Sequence, residues 1–171
     1  MTRSKASAKS GPQLSLRKWQ VQVSGYRSLP GLSSTQLKRT VLKLLRALEA
    51  RHLPRTVNEL SILFTDDRTI RKLNRTFRHK DKSTDVLSFS QLEGPGASSE
   101  VLGDIVISLP TARRQAKLRG VSTATEISEL LAHGILHLFG YDHEKVPARE
   151  ARRMFRKQEE LMILLGLRPS P

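Results

Sequence analysis

The segment from His133 to His143 constrains this chain more than any other stretch, because it holds three of the five histidines. If the segment is helical as far as Phe139, His133 and His137 lie four positions apart and share one face of the helix. Gly140 is suited to end that helix, because glycine readily adopts the left-handed conformation that follows a helix C-terminus. The chain can then turn back and bring His143 to the same point. The segment therefore predicts three convergent imidazoles.

Three neutral imidazoles suit a tetrahedral Zn²⁺ whose fourth position stays open for water or substrate. A structural zinc is normally closed by a fourth ligand, usually cysteine, and this chain contains no cysteine. The sequence thus predicts one Zn²⁺ per chain, although nickel or another divalent ion could occupy the same three ligands. Because protons compete with the metal for imidazoles, we expect the affinity to fall below about pH 6.5.

A formal charge of +14, from 30 Lys+Arg against 16 Asp+Glu, limits the choice of partner. Such an excess favours a polyanion, RNA or DNA, over a neutral metabolite, with an anionic membrane surface as the alternative. No apolar run approaches the roughly 18 residues of a membrane span. The absence of cysteine fits a reducing compartment. We therefore expect a cytoplasmic protein with no membrane partner.

The length of 171 residues and the hydrophobic periodicity predict a single α+β domain. Residues 1–16 are basic with little that could pack and predict a disordered tail, 17–166 form the domain, and 167–171 form a loose tail. Alternating apolar residues predict four strands, at 19–23, 60–65, 84–89 and 103–108, with the last two able to form a hairpin.

Helical spacing predicts about five helices packed on this small mixed sheet. Their signals are the leucine repeat from Leu37 to Leu48, a cap at Asp66, the bracket of Pro110 and Gly120, a capping box from Thr123 to Glu126, and a start near Pro147. The fourth helix carries the histidines, and its buried side is expected to hold Ile127, Leu130, Leu131, Gly134 and Leu138. The last helix is expected to bury Ala151, Met154, Phe155, Leu161, Met162 and Leu165.

The spacing of the three histidines and Gly140 resembles that of the metzincin zinc peptidases. In those enzymes a glutamate general base follows the first histidine, but Gly134 occupies that position here. Without this carboxylate the usual base that activates water is absent. The resemblance therefore implies a zincin-like metal helix, while zinc peptidase activity is the weaker alternative.

The longer pattern His-Gly-x-Leu-His-Leu-x-Gly-Tyr-Asp-His resembles the YbeY family of single-strand-specific endoribonucleases. Two further segments agree in the family's order, residues 73–89 with Thr-Asp-Val-Leu-Ser-Phe and residues 102–108 with Gly-Asp-Ile. Ser83 and Ser90 stand where that family usually has prolines. The resemblance implies a metal-dependent RNase domain that acts in rRNA maturation, at the 16S 3′ end, and in ribosome quality control. Single-stranded RNA and components of the ribosome or its small subunit are the implied partners.

Carried over by position, the resemblance implies zinc ligation by His133, His137 and His143 and a catalytic role for Arg78. An arginine suits the stabilisation of charge on a phosphoryl transition state, whereas the alternative for Arg78 is a surface salt bridge with Asp81 or Asp85. The basic stretch around it predicts nucleic-acid contacts at Arg75, Arg78, Lys80 and Lys82.

No general base is evident from the sequence. Asp142 is either a residue that orients a histidine ligand or a base. RNA can supply its own nucleophile through the 2′-hydroxyl, which leaves a cyclic phosphate end, whereas attack by water leaves a different end. The second functional alternative is an RNA-binding ribosome assembly factor whose metal only holds the helix end in place. The oligomeric state and the natural RNA site stay open.

Overall fold

A computed structural model describes residues 17–48, 53–54, 56–92, 100–144 and 146–168. The described residues form β1 Gln20–Ser24, α1 Ser34–Leu48, β2 Glu59–Thr65, α2 Asp67–Arg78, β3 Val86–Ser90, β4 Val101–Ser108, α3 Leu109–Arg119, α4 Thr123–Leu138 and α5 Ala148–Leu164. The predicted α+β class, with a small mixed sheet and five helices, is confirmed. The predicted tail at 1–16 and residues 169–171 lie outside the described residues. No described helix is long and apolar enough to cross a membrane.

The sheet has the strand order β1-β2-β4-β3. Strands β1, β2 and β4 run parallel, and β3 pairs antiparallel with β4, which confirms the predicted hairpin. Along β2, Leu60, Ile62 and Phe64 are buried at every second position, because successive side chains of a strand point to opposite faces. Strand β3 lies at the edge of the sheet and contacts α4.

The main core lies where α1, α4 and α5 pack against one face of the sheet. The opposite face carries a smaller cluster, in which Ile70 of α2 packs with Leu87 and Val106. Helix α4 is central, and all five residues predicted on its inner side are buried. This position explains its largely apolar sequence, because a helix surrounded by other elements has few polar positions to spare.

Two glycines let α4 lie close against the β3–β4 hairpin. A Cβ atom at Gly134 would lie 3.0 Å from Oγ of Ser88 and 3.2 Å from Cδ1 of Ile105. On the other side of this contact, Gly103 has φ of +154°, and a Cβ there would lie 2.8 Å from Cδ2 of Leu138. A side chain at Gly103 would be both strained and obstructed, and one at Gly134 would be crowded, so the two glycines let α4 lie directly against the hairpin.

The start of α4 differs from the predicted capping box. Ser122 rather than Thr123 is the N-cap, and its Oγ accepts a hydrogen bond of 3.0 Å from the backbone N–H of Thr125. Glu126, which the sequence placed in the capping box, is instead buried and accepts a hydrogen bond of 2.8 Å from Arg119. A cap displaced by one residue turns the glutamate away from the helix end and toward α3.

The prediction for α5 is confirmed for Met154, Leu161 and Met162, which are buried, holds in part for Ala151 and Leu165, which are half-buried, and is wrong for Phe155. The Phe155 side chain is 53% exposed. Position 155 lies about 100° further around the helix than Met154, so its ring leaves the core. It reaches the loop that follows α4, where it contacts the ring of His143.

Candidate metal centre and its cleft

The structure brings the three histidines together at the C-terminal end of α4. Nε2 of His133 lies 3.2 Å from Nε2 of His137 and 3.2 Å from Nε2 of His143. In a tetrahedral zinc site with Zn–N bonds of about 2.0–2.1 Å, two ligand nitrogens are separated by about 3.3 Å. Both separations from His133 therefore fit ligation of one zinc ion, and the three ligand atoms all lie within 4.8 Å of one another. In the described part of the chain this is the only group of three or more metal-ligating side chains.

The end of α4 shows why the third histidine returns to the first two. Gly140 has φ of +80°, and its N–H donates to the carbonyl of His137 over 3.0 Å. The N–H of Tyr141 donates to the carbonyl of Leu136, also over 3.0 Å. These are the two hydrogen bonds of a Schellman motif, which reverses the chain after a helix. The predicted glycine stop is thus present in the structure.

Asp142 shapes the turn that carries the third histidine. Its Oδ1 accepts hydrogen bonds from the backbone N–H of His143 over 2.7 Å and of Glu144 over 2.9 Å. Partial burial raises the pKa of Asp142, but these two N–H groups outweigh it and hold the pKa below its usual value. Oδ1 lies 3.8 Å from Nδ1 of His137, too far for a hydrogen bond. The geometry favours the orienting role over that of a base.

Helix α5 contributes a hydrogen bond that the sequence did not predict. Nδ1 of His133 lies 2.9 Å from Oε1 of Gln158. Because an amide oxygen only accepts, Nδ1 carries the proton and the lone pair of Nε2 faces the metal position. Nε2 of Gln158 in turn donates to Glu129 over 3.5 Å, and Glu129 pairs with Arg119 at 2.9 Å and Arg168 at 3.1 Å. Arg168, from the predicted C-terminal tail, is therefore tied to the metal helix.

Burial keeps the first two ligands neutral. Burial, followed by the neighbouring His133, lowers the pKa of His137 to about 4. Burial also lowers the pKa of His133, although its hydrogen bond with Gln158 acts in the opposite direction. Both imidazoles are therefore uncharged near neutral pH, as metal ligation requires.

The three histidines open onto a polar cleft of about 480 Å³. The walls come from the end of α2, strand β3 and the loop after α4, and they include Arg78, Asp85, Ser88, Ser90 and Glu144. Asp85 is engaged, because Oδ2 accepts from Gln115 over 2.9 Å and Oδ1 accepts from the N–H of Val86 over 2.8 Å. The cleft leads directly to the candidate metal position.

Arg78, the predicted catalytic residue, is exposed and lines this cleft. Its proposed salt-bridge partner Asp81 is taken by Arg71, with hydrogen bonds of 2.9 and 3.0 Å. Across the described residues no carboxylate forms an ion pair with Arg78, so the salt-bridge alternative is wrong for this part of the chain. The guanidinium instead contributes to the lowered pKa of His137. A positive charge thus stands beside the three imidazoles.

The other predicted RNA contacts lie outside the cleft. Arg75, Lys80 and Lys82 are exposed, and none of them is part of the cleft wall. Lys80 forms an ion pair with Glu144 at 3.6 Å, which links the loop after α2 to the loop after α4. Buried Asn74 donates to the carbonyl of Lys82 over 2.8 Å and holds the loop after α2 in place.

The position that differs from the metzincins faces the sheet. The three atoms nearest to a Cβ at Gly134 belong to the side chains of Ser88 and Ile105, at 3.0 to 3.3 Å. A glutamate at 134 would begin inside this contact. The position of the missing base thus lies in the close contact between α4 and the sheet.

The fold and this cleft define a zincin-like α+β protein with a candidate three-histidine metal site. The model of the endoribonuclease YbeY family matches residues 26–166, and the chain belongs to this family. The resemblance seen in the sequence motifs is thereby confirmed.

Relatives of known sequence are similar to this chain over much of its length. The endoribonuclease YbeY of Anaeromyxobacter dehalogenans (strain 2CP-C) is 56% identical over 109 residues, which cover 64% of this chain and 55% of that protein. The endoribonuclease YbeY of Aquifex aeolicus (strain VF5) is 50% identical over 105 residues, covering 61% and 68%. The match spans about half the length of the Anaeromyxobacter relative. The solution structure of TM1509 from Thermotoga maritima superposes with a TM-score of 0.56 at 25% identity, covering 86% of this chain and 90% of that one.

Proposed function

We propose that the protein is a zinc-dependent endoribonuclease that cleaves single-stranded RNA in the three-histidine cleft. One observation carries the proposal: three imidazoles, two of them with Nε2 atoms 3.2 Å from that of His133, open onto a polar cleft that also contains Arg78. The relatives named endoribonuclease YbeY and the net charge of +14 support RNA as the substrate. The proposed site of action is the cytoplasm, in rRNA maturation at the 16S 3′ end and in ribosome quality control.

The side chains in and around the cleft have separate roles in holding the metal, stabilising charge and binding the RNA backbone. A zinc ion held by His133, His137 and His143 would supply a Lewis acid for phosphate oxygens and a lowered pKa for a bound water. The planar guanidinium of Arg78 can donate to two phosphate oxygens at once, and it stabilises the negative charge that develops there. Arg75, Lys80 and Lys82 hold the RNA backbone outside the cleft.

The two carboxylates of the cleft wall are both engaged, which bears on the choice of nucleophile. Asp85 accepts hydrogen bonds through both oxygens, and Glu144 pairs with Lys80. Burial raises the pKa of Glu144, but the charges of Lys80 and Arg78 outweigh it and lower the pKa, so this carboxylate is a weak base. We therefore favour attack by the substrate's own 2′-hydroxyl.

The test compares the wild type and three variants for zinc content and for cleavage of a labelled single-stranded RNA. His137→Ala should lose zinc and cleavage together. Arg78→Ala should retain zinc and lose about 10²–10³-fold in rate, as expected for removal of one charge-stabilising donor. Arg113→Ala removes an exposed arginine of α3 and serves as the matched control, with unchanged activity. Equal cleavage by all four would indicate a contaminating nuclease and remove the proposal.

The product ends separate the two nucleophiles. Attack by the 2′-hydroxyl leaves a cyclic phosphate, and a strand with 2′-deoxyribose at the cleaved position should resist the enzyme. A 5′-phosphate on the product would refute the 2′-hydroxyl route while leaving the nuclease assignment intact. An assembly factor with a structural metal predicts instead that His137→Ala unfolds the chain or leaves RNA processing unchanged.

A further inference from the structure

An exposed aromatic ring lies beside the candidate metal site. The Phe155 side chain is 53% exposed, and its ring centroid lies 5.4 Å from that of His143, with the planes tilted by 35°. One part of the ring therefore contacts a metal ligand, and the remainder is open to solvent. Exposed apolar residues are common on protein surfaces, but this one borders the site where substrate is proposed to react.

The surface around this ring is predominantly basic. The first half of α5 carries four exposed arginines, Arg149, Arg152, Arg153 and Arg156, against the exposed Glu150, and one further exposed carboxylate, Glu159, lies four positions after Phe155. Arg152 lies three positions before Phe155 and therefore next to it on the helix surface. Arg153 stacks over the ring of Tyr141, with its guanidinium carbon 4.9 Å from the ring centroid. This contact fixes the basic turn of α5 against the same loop that carries His143.

Helix α5 thus presents a flat apolar ring within a positive surface at the edge of the metal cleft. Proteins that bind single strands combine these two features, because aromatic rings stack on exposed bases while cations contact the phosphates. For a peptide partner this surface offers a single isolated aromatic ring. The surrounding positive charge favours a polyanion instead. The sequence motifs pointed to α2 and its loop for RNA binding, so this surface of α5 was not among the predicted contacts.

We propose that Phe155 is a stacking platform for a nucleobase of the RNA strand, flanked by Arg152 and Arg156 as phosphate contacts. The subsite rests on the proposed function, because its ligand is the single strand that enters the metal cleft. It assigns α5 two tasks, the support of His133 through Gln158 and the binding of a base next to His143.

The experiment measures binding of a fluorescein-labelled RNA oligonucleotide to the zinc-loaded protein by anisotropy, on ice, with the strand checked for integrity after each reading. Cleavage and zinc content are measured in parallel. Phe155→Leu keeps an apolar cover over His143 but loses the ring, Phe155→Trp keeps a ring, and Leu164→Ala removes an equally exposed apolar residue from the far end of α5. We expect Phe155→Leu to weaken binding by about 5- to 150-fold, whereas the other two bind like the wild type.

A second set of strands, each lacking one base, identifies the stacked position. For the wild type, loss of that base should weaken binding by a similar factor, and for Phe155→Leu it should add almost nothing. Equal binding by Phe155→Leu, or base penalties that persist unchanged in it, would overturn the subsite. If Phe155→Leu loses zinc, the ring protects His143 rather than binding a base, and the subsite is overturned as well. Base-dependent binding without cleavage would retain the subsite and refute the nuclease, and absence of RNA binding would refute both.

Discussion

Replacing Gly134 with alanine tests whether the metal helix is pressed against the sheet. The new Cβ would lie 3.0 Å from Oγ of Ser88 and 3.2 and 3.3 Å from Cδ1 and Cγ2 of Ile105. Ile105 is fully buried and cannot move away without disturbing its neighbours. Overpacking of this kind costs about 1–3 kcal/mol. Replacing a glycine inside a helix recovers about 1 kcal/mol, so we expect a net loss of about 1 kcal/mol.

The loss should appear as a fall in Tm of about 2–4 °C for a domain of this size. Circular dichroism of the zinc-loaded protein measures it. In a Ser88→Ala background the closest atom is gone, and the cost of Gly134→Ala should shrink by about 0.5 kcal/mol or more. Zinc affinity should stay the same, because His133 and His137 lie on one helix and move together.

A raised Tm for Gly134→Ala, or a cost that is the same in the wild-type and Ser88→Ala backgrounds, would refute the close approach. Gly134→Glu extends the test to the chemistry, because a glutamate at this position would place the base of the metzincin pattern. We expect it to fold poorly and to hydrolyse no peptide. Peptide hydrolysis by this variant would contradict the conclusion that position 134 faces the sheet.

Three further predictions concern the ligands and the loop after α2. Gln158→Leu removes the acceptor for Nδ1 of His133 and should lower zinc affinity about 10- to 100-fold in a chelator competition. Gln158→Glu retains an acceptor and serves as the control. Equal zinc affinities for Gln158→Leu and the wild type would contradict the role of the amide. Zinc affinity should fall at acidic pH, but zinc should displace well under the roughly 2.7 protons that three imidazoles of ordinary pKa would carry at pH 5.5, because burial lowers the pKa of His133 and lowers that of His137 to about 4. Calorimetry in buffers of different ionisation enthalpy counts these protons, and a value near 2.7 would be inconsistent with the buried site. Asn74→Ala leaves the carbonyl of Lys82 unpaired and should cost about 1–3 kcal/mol in urea unfolding, whereas an unchanged midpoint would show that the loop holds itself.

The sequence was most informative where spacing alone determines geometry. The i, i+4 histidines and Gly140 were sufficient to predict the convergence of three imidazoles, because helix periodicity and the left-handed glycine leave few alternatives. The alternating pattern of β2 and the hairpin of β3 and β4 followed from equally local signals. The role of Arg78 came from the family resemblance, since a lone arginine at the end of a helix carries no such geometric signal.

The features that the sequence did not predict depend on contacts between distant elements. Gln158 is 25 positions from His133, and its one signal was a polar residue on the helix face that also carries Met154 and Leu161. Phe155 was assigned to the core because an aromatic residue next to an apolar stripe usually packs inward. The burial of Glu126 beside Arg119 could not be inferred either, because a cap at Ser122 or at Thr123 fits the local pattern equally well.

The ion pair of Lys80 with Glu144 changes how binding should depend on salt. Each lysine or arginine that neutralises a phosphate releases condensed counterions, which gives a slope of about −0.7 per cation in a plot of log K against log[salt] for single strands. Lys80 already has a carboxylate at 3.6 Å, so RNA exchanges one anion for another at this residue and few ions are released. Of the four proposed RNA contacts in and after α2, the three other than Lys80 should therefore determine the slope of log K against log[salt]. Glu144→Gln would add the fourth, and RNA binding would then fall more steeply as the salt concentration rises.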